Sequence, residues 1–299
     1  MTIRILQFGA TGQLARELLA QAKDFDVEIT ALSRAEADLC DPSAIVRCVQ
    51  DARADLVVIA AAYTAVDLAE SEPDRARGVN ATAPAAIAAA LGPTGPALVH
   101  VSTDYVFDGD KGAPYVETDA TNPINVYGAT KLAGEQAIAA SGARALVLRT
   151  SWVVSSHGKN FVKTMLRMAG EGKPLKVVAD QFGRPTAARD LARFILSQAE
   201  RLSTAPAGDA VFGVHHFANA GEVSWKAFAE GIFDLAFGPK APVVAAGFAA
   251  DWPAPARRPV RGTLDTSKLE QTFGVALRPW REAVAEIVAE LQAEQRSAA

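Results

Sequence analysis

Sulfur is scarce in this sequence. Two cysteines, Cys40 and Cys48, stand among 299 residues. That is too few for a disulfide framework and suits a reducing cytoplasm. Both read as small core side chains. Histidine is nearly as sparse, and His100, His157, His215 and His216 show no H-x-x-x-H or paired Cys/His spacing. No metal site is expected from them, and His215 and His216 read as part of a strand. No basic block stands out, and the formal net charge is only −4. Phosphate backbones need clustered cations, so no nucleic-acid partner is expected. The longest apolar runs, such as "LVVIAAAY", are far too short to cross a bilayer. No signal or transit segment precedes the first strand-like run at residue 3. A cytoplasmic protein with no membrane partner is the expectation.

What is present is an ordinary globular composition, 49% hydrophobic and 21% charged, long enough to bury a large core. Short apolar runs alternate with helical stretches through the first half. "IRILQF", "VEITALS", "DLVVIAAA", "ALVHVSTDYVF" and "ARALVLRTSWV" read as strands. Between them fall helices at "QLARELLAQA", at about Pro42 to Asp51, at about Ala76 to Leu91, and one carrying Tyr127 and Lys131. Strands that are continuously apolar are buried on both faces, as in parallel sheets. The expected fold is therefore α/β, a Rossmann-like doubly wound parallel sheet with a smaller mixed C-terminal substrate lobe. Residues 1–155 should form mainly the dinucleotide-binding domain. Residues 156–299 should form mainly the smaller lobe, with some segments returning to the first domain. Helices are expected there at about 160–170, 186–201, 224–237 and 280–294, and strands near "LKVVA" and "VFGVHHFA". "GPKAPVVAAGF" and "DWPAPARRPVRG" read as loops.

Three motifs follow one another in chain order. "GATGQLA" leaves the first strand and opens a helix, with Gly9, Gly12 and Ala15 in a G-x-x-G-x-x-[GA] pattern. Small residues there let the backbone approach a pyrophosphate at a positive helix end, so Thr11, Gln13 and Leu14 join the expected cofactor site. After the second strand, "ALSR" lacks the acid that favours NAD. Ser33 and Arg34 suit a 2′-phosphate instead, although a solvated surface arginine reads the same way. Thr103 closes the fourth strand, placed to hydrogen-bond a substrate carbonyl. Tyr127 and Lys131, four apart, share a helix face. A nearby ammonium should lower the phenol's pKa and make Tyr127 a usable acid. NADPH is the expected cofactor, with NADH accepted.

This order of motifs resembles the extended short-chain dehydrogenase/reductases. Within them, "GATGQL", "AAYTAVDLAESEP", "STDYVFDG", "LRTSWV", "NFVKTMLRMA", "DQFGRPT" and "ARRP" look very like the dTDP-4-dehydrorhamnose reductase family. The resemblance runs from residue 9 to about residue 260. It implies NADPH-dependent reduction of a C4 ketone on a dTDP-sugar substrate, with Thr103, Tyr127 and Lys131 catalytic and Lys131 touching the nicotinamide ribose. It implies cofactor contacts through Asp38, Leu39, Ala60, Ala61 and Ala62, and substrate contacts through Thr64, Asp67, Asp104, Tyr105, Phe107, Trp152, Gln181, Arg184 and Arg258. The two last arginines lie where a nucleotide diphosphate should dock, in keeping with its charge. Against that, Trp152 reads first as a core tryptophan.

One departure stands out. Some relatives dimerise through a magnesium site built from glutamates, one of which Glu290 matches. Arg189 stands where another belongs, and a cation there repels a divalent metal. No metal is expected, and the chain should be a monomer or weak homodimer. Other readings remain open. A reductase of another nucleotide-linked 4-keto-6-deoxy sugar would share these motifs. A 4,6-dehydratase needs an Asp–Glu pair after the threonine, and here Asp104 is followed by Tyr105. A non-catalytic NAD(P)-binding subunit, like the regulatory subunit of methionine adenosyltransferase, fits the same fold.

Overall fold

The computed structural model describes residues 2–172 and 174–298. Its main sheet contains β1 (Ile3–Phe8), β2 (Val27–Leu32), β3 (Leu56–Ile59), β4 (Ala97–Thr103), β5 (Ala145–Thr150) and a sixth strand at Gly213–His216. All neighbours are parallel, in the order β2-β1-β3-β4-β5 and then 213–216. Successive side chains of a strand point to opposite faces. Ile5, Leu56 and Val58 thus join one core cluster, while Leu6, Val57 and Ile59 join another. The first face is covered by α1 (Gln13–Gln21) and by the helices at 188–204, which supply Leu191, Ile195 and Leu202. The second is covered by α2 (Pro42–Asp51) and the helices at 83–91 and 126–141. Burial on both faces is what continuous apolar strands require, and the doubly wound arrangement is the one expected.

Local chemistry sets the helix ends. Asp41 caps α2 by accepting from the backbone N–H of Ser43 and Ala44, with Pro42 at its first turn. The alanine-rich helix starts earlier than expected, at Pro73, and runs to Leu91 with one π-helical turn at Gly78–Thr82. Strand β4 stops at Thr103 instead of continuing through Phe107. The Thr103 hydroxyl accepts from the Tyr105 N–H, which starts a 3₁₀ turn over Asp104–Val106.

Beyond β5 a third apolar cluster gathers Val162, Met165, Phe228, Ile232, Val284 and Ile287 from the helices at 161–170, 225–237 and 280–298. The stretch "GPKAPVVAAGF" is not all loop. Val244–Gly247 pairs in parallel with Leu175–Val178. Its "VAAG" has little strand propensity, so the partner strand and burial of Val244 decide the conformation. Among the described residues no helix is long and apolar enough to cross a membrane.

Candidate active site

A cleft of about 710 Å³ opens beyond the C-terminal ends of β1, β3 and β4. Strand order reverses between β1 and β3, which is where open α/β sheets bind ligands. At one end lie Gly9, Thr11, Gly12, Gln13 and Leu14. Gly9 has φ +104°, and a Cβ there would sit 2.8 Å from the Cβ of Ala61 and 3.1 Å from its nitrogen. Only glycine allows β1 and β3 to approach so closely at this turn. Helix α1 then begins with no side-chain cap and no acid in its first turn. Its free N–H groups favour an anion. Ala60, Ala61, Ala62 and Thr64 form the neighbouring wall, and Arg34, Asp38 and Leu39 the far end.

That far end is more acidic than the sequence suggests. Ser33 donates its N–H to Glu36 at 2.8 Å and does not line the cleft. Arg34 is largely exposed and 3.4 Å from Asp38. Cys40 is also not core filler, because it is exposed and borders the cleft.

The catalytic end is built by the 126–141 helix. Asn125 caps it by accepting from Gly128 at 2.7 Å and donates its own amide to the Arg257 carbonyl at 2.7 Å. A Cβ on Gly128 would come within 2.1 Å of the Tyr105 carbonyl oxygen, so glycine lets the helix seat directly on the β4 turn. Tyr127 is thereby held edge-on to Tyr105, ring centroids 5.5 Å apart. Asn80, from the π-helical turn, accepts from the Tyr63 N–H and donates to the Tyr63 carbonyl and to Thr130. It locks the loop bearing Thr64 onto the catalytic helix.

Thr103, Tyr127 and Lys131 meet at this end of the cleft as expected. The electrostatics differ from expectation. Burial pushes the Tyr127 phenol up to about 12, partly offset by its hydrogen bond with Thr103 and reinforced by Asp104. Lys131 does not lower it. Its ammonium donates to the Val101 carbonyl at 2.6 Å and contacts His100 Nε2 at 3.2 Å. Burial brings this lysine down to about 8, against the opposing charge of Glu135. Tyr127 therefore holds its proton in this buried setting. Below the lysine, Glu135 accepts from Ser102 and makes a two-point pair with Arg149, both ions about 5% exposed.

The expected substrate residues divide. Asp104, Tyr105, Thr64 and Trp152 line the cleft. Trp152 has φ 48°, rare for a bulky side chain, and stacks on Trp225 at 3.5 Å. It serves both as packing and as cleft wall. Asp67 and Arg258 bind each other. Phe107 is fully buried and stacks on Tyr115 at 4.1 Å, so it is a core residue and not part of the sugar pocket. The 3₁₀ turn after Thr103 turns it inward. Arg184 does not border this cleft; it donates Nε to the Asn219 carbonyl at 3.0 Å and Nη1 to the Leu264 carbonyl at 2.6 Å. Gln181 is half-buried and does not border the cleft. Arg189 lies among Glu290, Glu286 and Glu17, the last two at 3.6 and 3.7 Å.

Several cleft residues went unnoticed in the sequence: Tyr63, Arg75, Gly158 and Lys159 on the wall, with Asn80 and His100 behind it. For Tyr63 the stretch "AAYTAVD" already contained the signal. The others contact the site only through the fold.

The RmlD substrate binding domain family matches residues 3–293. A dTDP-4-dehydrorhamnose reductase of Sinorhizobium fredii is 44% identical over 299 residues, covering 99% of this chain and all of the relative. That of Escherichia coli K12 is 41% identical, covering 97% and 98%. Among solved structures, the reductase of Bacillus anthracis in complex with NADP superposes with a TM-score of 0.89 at 33% identity, over 97% of this chain and all of that one. The Clostridium acetobutylicum reductase gives the same TM-score at 36% identity and the same coverage.

Proposed function

This chain belongs to the RmlD family of dTDP-4-dehydrorhamnose reductases, and we propose that it reduces the C4 ketone of dTDP-4-dehydro-L-rhamnose to dTDP-L-rhamnose with NADPH. The observation that carries this reading is the convergence of Thr103, Tyr127 and Lys131 in one cleft with an uncapped helix behind a glycine turn. The turn fits a dinucleotide: a Cβ at Gly9 would fill the approach, and no acid opposes a pyrophosphate at the start of α1. Gly9, Gly12 and Gln13 would hold the pyrophosphate side, Ala60 to Ala62 the middle, and Arg34 the 2′-phosphate. NADPH, when bound, supplies the hydride.

The chain's own residues manage the proton. Tyr127 holds it on Oη until charge develops on the substrate oxygen, since burial makes the free phenolate costly. The developing alkoxide is the stronger base, so transfer is favourable in the transition state. Thr103 offers a hydroxyl beside the phenol. Lys131 is fixed by Val101 and His100, which places a cation under the reacting end. Tyr105, Trp152 and Thr64 line the cleft on the sugar side.

Residues 1–155 are read as mainly the cofactor domain and 156–299 as mainly the substrate lobe. The 188–204 helices and the 213–216 strand return to the main sheet. A cytoplasmic monomer or weak homodimer is the state this reading favours. The test is NADPH oxidation with dTDP-4-dehydro-L-rhamnose, with the sugar product read by NMR. Turnover to dTDP-L-rhamnose is expected. Tight NADPH binding without oxidation would leave a binding protein and overturn the reading.

A further inference from the structure

Asp104 follows the catalytic threonine and is 4% exposed. Its Oδ1 accepts from Thr103 Oγ1 at 3.1 Å. Its Oδ2 lies against Gly262, where an added Cβ would come within 2.5 Å. The groups facing it are Thr103 and Tyr105 on its own turn, Tyr127 on the catalytic helix, and the glycine. Arg258 is engaged by Asp67 and bears on Tyr105. Among the described residues no cation pairs with Asp104. A carboxylate in such a place lacks countercharge, and burial brings it up to about 7 against the hydrogen bonds from Thr103 and from the backbone of Asp104 and Tyr105.

The Thr103 hydroxyl has one proton and two lone pairs. One lone pair takes the Tyr105 N–H at 3.2 Å. While Asp104 is ionised, the carboxylate claims the hydroxyl proton, and Thr103 cannot donate to a substrate oxygen. Once Asp104 is protonated, its own O–H can donate into the second lone pair. The threonine proton is then released toward Tyr127 and the ketone. Resting on the reductase reading, we propose that Asp104 is a positioning residue that works as the protonated acid and sets the direction of the Thr103 hydroxyl. No net proton is consumed by Asp104 in the cycle. The proton that ends on the product oxygen comes from Tyr127.

The sign follows from the raised value. Asp104 is protonated below about 7 and ionises above it, so kcat should be level on the acid side and fall as pH rises through that region. Lys131 titrates separately, near 8. The experiment is kcat against pH for wild type, Asp104→Asn, Thr103→Val and Thr103→Ser, with NADPH affinity and Tm recorded to show that each is folded. The wild type should lose about tenfold in kcat per pH unit above the limb, as expected for one titrating group. Asp104→Asn cannot titrate and should lose that limb while keeping any limb from Lys131. Thr103→Val should also lose it at a much lower kcat, and Thr103→Ser should keep it. If Asp104→Asn misfolds, the two threonine variants still decide. A wild type that turns over with a flat profile from pH 6 to 8, or a limb that persists unchanged in Asp104→Asn or Thr103→Val, would overturn the inference. Those outcomes leave the reductase reading standing, whereas a wild type without turnover would remove the reading itself.

Discussion

Arg258 and Asp67 hold each other at two points, Nη2 to Oδ2 at 2.7 Å and Nη1 to Oδ1 at 3.0 Å. Both residues were expected to meet the substrate, and the structure shows them meeting one another beside Tyr105. A diphosphate arriving here competes with a carboxylate for the same guanidinium. A charge-assisted contact is worth about 1.5–3 kcal/mol. Arg258→Ala should therefore raise KM for the dTDP-sugar by roughly ten- to a hundredfold with little change in kcat. Asp67→Asn, which loosens the grip on Arg258, should not raise KM. Steady-state kinetics on the two variants checks this. An unchanged KM in Arg258→Ala with a lowered Tm would mean that the pair only ties the fold.

The cofactor's phosphate gives a smaller effect. Arg34 is available but largely exposed, and Asp38 and Glu36 lie close by. Solvent and salt weaken such a contact. A preference for NADPH over NADH of about tenfold in kcat/KM is expected, the lower end of what a charge-assisted bond supplies. Arg34→Ala should remove most of it and leave NADH turnover nearly untouched. Equal use of both cofactors by the wild type would reduce Arg34 to a surface charge.

Metal chelation should have no effect. The Arg189 guanidinium already supplies positive charge among Glu17, Glu286 and Glu290. EDTA is expected to leave activity and the mass in solution unchanged. Dissociation of a dimer on chelation would contradict this.

Acid should destabilise the fold before it touches the exposed carboxylates. Burial holds His215 down to about 4 and His216 to about 3, and both are fully enclosed. Each stays neutral in the fold while the unfolded chain takes up a proton below about 6.5. Stability is thus complete above that pH and falls as pH drops toward the folded values. The slope is about 1.4 kcal/mol per pH unit for each histidine. Denaturant titrations at pH 7 and pH 5 measure it. His215→Gln, which cannot titrate, should show a shallower loss, and an identical loss would place the cause elsewhere.

What could be read in the sequence was local chemistry. Gly9 before α1, Thr103 at a strand end, and Tyr127 with Lys131 on one helix face need only a few neighbouring residues to be recognised. The misreadings came from contacts made across the chain. Spacing pairs Lys131 with Tyr127, but its ammonium meets a carbonyl and an imidazole on β4. Chain proximity puts Phe107 beside Tyr105 in the pocket, and the 3₁₀ turn opened by Thr103 sends the two in different directions. Arg184 looked free for a diphosphate, yet its partners at Asn219 and Leu264 lie far along the chain. Glu36 reaches back to Ser33 only because the segment after β2 turns. The strand at Val244–Gly247 exists because Leu175–Val178 is there to receive it.

The central claim is that Tyr127 delivers the proton from a buried, fully protonated phenol. Tyr127→Phe keeps the ring against Tyr105 and removes only the hydroxyl. The decisive measurement is kcat for dTDP-4-dehydro-L-rhamnose reduction in this variant, beside its NADPH affinity. A loss on the order of 10²–10⁴ in kcat with cofactor affinity unchanged is the predicted result. Turnover close to that of the wild type would contradict it.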